Sequence, residues 1–115
     1  MTNVKIDIRD DIAVVGWNAE KLLGGPGRID LGDTVKNVID RNIKKIILDF
    51  SKVKWIDSSG LGILVSAWKI AVSHSAELVV VMKSNRFQNI FRVTNLQELM
   101  RTYDSVDEAI KYYNE

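Results

Sequence analysis

Cysteine is absent from this 115-residue chain, and histidine and proline occur once each. Without cysteine there are no disulfides, no thiolate chemistry and no cysteine-based metal sites. An excess of charge is also missing: sixteen basic residues stand against fifteen acidic ones, a formal balance of +1. That balance gives no electrostatic reason to expect direct nucleic-acid contact or an anionic membrane as partner. No apolar run approaches the roughly 20 residues needed to cross a bilayer, so no membrane insertion is expected. The first residues, Val4 to Arg9, alternate aliphatic and charged side chains and form no signal-peptide core. These absences describe a soluble, cytoplasmic protein with no metal and no cofactor. Its length suits one domain over 1–115.

Catalytic groups are scarce as well. For His74 to activate Ser58 or Ser59, the groups must come within hydrogen-bond reach. A helix from Gly60 to Ser73 would place His74 about 22 Å from Ser59, which rules out the pair. The stretch from Asp57 to Gly62 lacks the glycine two residues before the serine that a nucleophile elbow requires. No Gly-Lys-Ser/Thr ending exists for a phosphate loop. A binding module, not an enzyme, is the expectation.

Positive signals begin with Val4, Ile6 and Ile8 alternating with Lys5, Asp7 and Arg9, the period of a strand with one wet face. Asp10-Asp11 reads as a turn and Ile12–Trp17 as the hairpin partner. Residues 18–32 are irregular and glycine-rich, a loop with a short strand at Arg28–Leu31. Asp33 is an N-cap candidate for a helix over Thr34–Asn42, with Val35, Val38 and Ile39 on one face. Ile46–Phe50 and Glu77–Met82 are nearly continuous apolar runs, as expected of strands buried on both faces. A helix is predicted from Gly60 to about Ser73, another after a Ser84 cap through Phe87, Ile90 and Phe91, and an edge strand over Leu99–Tyr103. Ser105 with Glu108 forms a capping box for a last helix ending at Tyr112-Tyr113. The alternation implies an α/β fold, a mixed sheet with helices packed on it.

The most informative run is Ile46-Ile47-Leu48-Asp49, then Ile56-Asp57-Ser58-Ser59-Gly60-Leu61-Gly62. A buried strand feeds a small-residue turn at a helix N-terminus. Ser58 or Ser59 could serve only as an N-cap. Three capping-type residues stand together, however, and Gly60 and Gly62 permit close backbone approach. The following helix is apolar nearly all round. Leu61, Leu64, Val65, Trp68 and Val72 make one stripe, with Ile63, Ala67 and Ile70 largely off it. Those extra apolar residues imply either a binding face or a covering helix.

This run resembles the STAS domain family, specifically the bacterial anti-sigma factor antagonists. The strand Leu78–Val81, the helix with Phe87, Ile90 and Phe91, and the turn Thr94-Asn95-Leu96 follow in the same order, so the likeness covers about residues 44–113. The resemblance implies a STAS-like mixed β-sheet of four to five strands with helices mainly on one face. It also implies partner switching: binding of an anti-sigma factor serine kinase, phosphorylation of Ser58 with release, and reset by a metal-dependent serine phosphatase. Asp57, Ser59, Gly60, Leu61 and Gly62 would then meet the partner. Where the family has Gly-Glu-Leu-Asp, this chain has Gly27-Arg28-Ile29-Asp30 after an insertion around Asn18–Pro26, and Asp30 is the matching aspartate in the partner-binding set. A phosphorylation-independent STAS adaptor in a transport or sensory complex is the other expectation.

Overall fold

A computed structural model describes residues 4–22 and 31–115. In chain order, strand β1 spans Val4–Arg9, β2 Ile12–Trp17 and β3 Lys21–Leu22; helix α1 follows at Leu31–Asp40, then β4 at Lys45–Asp49 and β5 at Trp55–Ile56. Helix α2 spans Ser58–Ser73, β6 Glu77–Val81, α3 Asn85–Val93, β7 Thr102–Tyr103 and α4 Val106–Asn114. Five strands form the main sheet in the order β1-β2-β4-β6-β7. Only β1 runs antiparallel to its neighbour. The Asp10-Asp11 turn makes that hairpin, with Asp10 at a left-handed φ of 56°. β3 and β5 pair in parallel as a separate two-stranded ribbon.

Strand periodicity divides the core in two. On one face Ala13, Val15, Ile46, Leu48, Leu78 and Val80 meet the buried residues of α1, α2 and α3. Phe50, Phe87 and Phe91 fill the α3 end of this core, Phe87 meeting Phe91 edge-on with centroids 5.5 Å apart. On the other face Ile12, Val14, Ile47, Val79 and Val81 lie under α4 through Ala109 and Tyr113. The Tyr113 hydroxyl sits 2.8 Å from the Ile46 carbonyl and 3.0 Å from the Glu77 carbonyl, so its single proton serves two adjacent strands. Burial pushes this phenol far above its ordinary pKa, which keeps the proton in place. The expected mixed sheet with helices mainly on one face is therefore present.

Several boundaries differ from expectation. α1 begins by Leu31, so Asp33 lies inside its first turn, where a carboxylate still suits the helix dipole. Of the strand expected at Arg28–Leu31, Leu31 is helical and the rest lies outside the described residues. The last edge strand shrinks to two residues, because Leu96–Glu98 form a 3-10 turn first. Ser84 and Ser105 cap as read, accepting from the backbone N–H of Phe87 and Glu108. Three helices end at a non-glycine residue with positive φ, namely Asn42, Ser75 and Asn95.

Candidate functional site

The turn before α2 is built from both sides. The Trp17 indole N–H donates to the Lys21 carbonyl at 2.8 Å, and the N–H groups of Lys54 and Trp55 both donate to the Glu20 carbonyl, at 2.7 and 3.0 Å. The chain then leaves β5 through Asp57, extended at φ −100° and ψ 179°. Its carboxylate accepts from the Gly60 N–H at 2.6 Å, and its carbonyl accepts the first helical bond from Leu61 at 3.0 Å. Asp57 is therefore the N-cap, and neither serine is. α2 starts at Ser58, two residues earlier than the apolar pattern indicates. Ser58 and Ser59 occupy its first two positions, both exposed. Neither hydroxyl has a hydrogen-bond partner among the described residues.

The two glycines play unlike parts. A Cβ on Gly60 would lie 2.1 Å from the Leu22 carbonyl oxygen and 2.9 Å from a side-chain carbon of Ile56. Gly60 thus lets the ribbon of β3 and β5 press directly on the start of the helix. Among the described residues, a Cβ on Gly62 would meet nothing within 4 Å. Of the close approaches expected at both positions, the described residues make the one at Gly60 and none at Gly62.

The buried side of α2 also differs from the expected stripe. Gly60, Ile63, Leu64, Ala67 and Ala71 face the core. Leu61, Val65 and Trp68 are half-buried, and Val72 is 52% exposed. Ile63 and Ala67, expected off the main stripe, are buried. Of the expected stripe, Leu64 is fully buried, Leu61, Val65 and Trp68 pack half-buried against the core, and Val72 is exposed. His74 closes the far end of α2, its ring Nδ1 2.9 Å from the Ile70 carbonyl oxygen, remote from both serines. Asp30 lies outside the described residues, so Asp57, Ser58, Ser59, Gly60, Leu61 and Gly62 are the expected residues brought together, as one continuous turn. Leu22, the buried strand residue against Gly60, carried no signal in the sequence.

Chemically, the turn offers an uncommitted primary hydroxyl at the positive end of a 16-residue helix. The adjacent carboxylate is engaged as a cap. Among the described residues no cluster of three or more His, Asp or Glu residues is placed to hold a metal ion, and no helix is long and apolar enough to cross a membrane.

Comparison with known proteins places this arrangement. An anti-sigma factor antagonist homologue of Thermotoga neapolitana is 30% identical over 73 residues, covering 64% of this chain and 65% of the relative's own length. The crystal structure of an anti-sigma factor antagonist from Mycobacterium paratuberculosis superposes with a TM-score of 0.77 at 19% identity, covering 97% of this chain and 93% of that one. The Bacillus cell fate determinant SpoIIAA in its phosphorylated form gives 0.70 at 16% identity, covering 96% and 98%. These solved structures share the fold. The STAS domain family matches residues 26–109, most of the chain, a span that holds the turn, α2 and the strands on either side. The chain belongs to the STAS domain family.

Proposed function

We propose that this chain is an anti-sigma factor antagonist acting in the cytoplasm as one domain by partner switching. With Ser58 unmodified it binds an anti-sigma factor that is also a serine kinase. The kinase transfers the γ-phosphoryl group of ATP to the Ser58 oxygen, the hydroxyl proton is lost, ADP leaves, and the complex separates. A metal-dependent serine phosphatase hydrolyses the ester and resets the switch. In this reading the chain is a substrate and binding partner, not an enzyme. Asp30, Asp57, Ser59, Gly60, Leu61 and Gly62 border the contact. The carrying observation is the exposed, uncommitted hydroxyl of Ser58 next to its capping aspartate. The names of its relatives support the partner class.

The physics of the switch follows from position. A phosphate adds about −1.5 to −2 charges. At the first residue of α2 it meets the free amides and the positive dipole end, so the domain tolerates it. A docked partner that desolvates it beside Asp57 does not, and each 1.4 kcal/mol is about tenfold in affinity. Purified kinase titrated against Ser58→Ala and Ser58→Asp tests the reading. Ser58→Ala should stay bound in the presence of ATP, and Ser58→Asp should bind at least tenfold more weakly. Equal affinities would reject the switch. Intact mass spectrometry after incubation with kinase and ATP separates the alternatives, because an unmodified chain points to the phosphorylation-independent adaptor.

A further inference from the structure

Trp55 is 45% exposed, on the two-residue strand β5, three positions before Ser58. Its Cα is therefore within about 10 Å of the Ser58 Cα. The guanidinium of Arg86 lies over its ring, 3.8 Å from the centroid. Arg86 is the second residue of α3, and no acid accompanies it in that first turn. A cation there opposes the helix dipole, so α3 gains nothing from its charge. An exposed cation–π contact returns only about 0.5–1 kcal/mol. The pair does little for the fold, yet it holds an arginine flat on an aromatic platform next to the modifiable turn.

The local charge agrees with that placement. Residues 52–57 and 83–86 carry Lys52, Lys54, Lys83 and Arg86, all exposed, in a chain whose overall balance is only +1. Lys54 pairs with Glu20 at 3.2 Å. The one carboxylate within the two segments, Asp57, is occupied by the Gly60 N–H.

We infer that Trp55 and Arg86 together anchor the switching partner, and that the partner presents an acidic face with an apolar recess for the indole. The inference rests on the partner-switching reading and deepens it. Tryptophan and arginine dominate interface energies once desolvated, and arginine grips carboxylates through two parallel hydrogen bonds. Phosphate on Ser58 would then act twice, by cancelling the local positive field that draws the partner and by intruding on the contact.

The test uses the full chain and the serine kinases of the histidine-kinase-like ATPase superfamily encoded in its source genome, each purified and titrated at low and high salt. Wild type should bind one of them, and more weakly at high salt. Trp55→Ala and Arg86→Glu should each weaken binding tenfold or more, and Arg86→Lys, which keeps charge but loses the planar fork, should fall between. Lys111→Glu, exposed on α4, should leave binding unchanged. Unchanged thermal melts for the exposed-site variants assign the losses to the interface. If wild type binds and Arg86→Glu and Trp55→Ala bind equally well, the anchor is overturned while partner switching stands. Tighter binding by Arg86→Glu also overturns it. If no kinase binds wild type, both fall.

Discussion

The two ends of α2 are made by opposite means. At its C-terminal end the chain stops itself: Ser75 takes φ 60°, its N–H reaches the Val72 carbonyl at 3.0 Å, and the Ala76 N–H reaches the Ala71 carbonyl at 2.8 Å. Those bonds are local backbone chemistry, to which the Lys44 ammonium on the His74 carbonyl adds a contact from thirty residues away. At its N-terminal end, the cap is local but the position is imposed from afar, by Leu22 of β3 pressing on Gly60. The C-terminal end is closed mainly by neighbours in sequence. The end that leaves the Ser58 hydroxyl exposed is also held from outside the helix.

That contrast can be broken most forcefully at Gly60. Gly60→Ala drives a methyl into a backbone carbonyl, and unfolding in urea should show a loss of about 3 kcal/mol, the upper part of the usual overpacking range. Gly62→Ala, whose new methyl meets none of the described residues, should instead gain up to about 1 kcal/mol from helix propensity. Matching signs for the two variants would mean that the ribbon does not clamp the helix. Asp57→Ala removes the cap and should lower stability by about 1 kcal/mol, readable as a lower urea midpoint at constant slope. The smallest effect belongs to the other end. Ser75→Gly relieves a left-handed serine and should raise stability by less than about 1 kcal/mol, since glycine also loosens the unfolded chain.

How much of this was legible depends on the signal each element leaves. The unbroken apolar runs at Ile46–Leu48 and Leu78–Val81 located two strands, because burial on both faces writes directly into side-chain type. Alternation in Val4–Arg9 located a third, although Val4 and Ile8 are only half-buried and Ile6 is exposed. Ser84 and Ser105 marked two helix starts for the same chemical reason that they cap them. β3 and β5 left no trace, since two residues cannot display a period. The Ser58 turn is readable as a pattern, but which of its residues caps the helix is not, because Asp57, Ser58 and Ser59 are interchangeable on propensity alone. The face of α2 was misread for a more general reason. Large apolar residues weigh most in any hydropathy pattern, yet a helix lying close against its neighbours also buries small ones, here Gly60, Ala67 and Ala71 beside Ile63 and Leu64.

The spatial order β1-β2-β4-β6-β7 is also the order of translation. Every strand of the main sheet lies beside the one that precedes it there in the chain, so the topology leaves no gap for a later strand to fill. The Leu22–Gly60 contact follows another rule. It joins residues about forty positions apart across a finished strand and helix, a closure whose entropic cost grows only slowly with that span. The contact that fixes the turn before α2 therefore needs Gly60, which follows the whole of β4 in the chain.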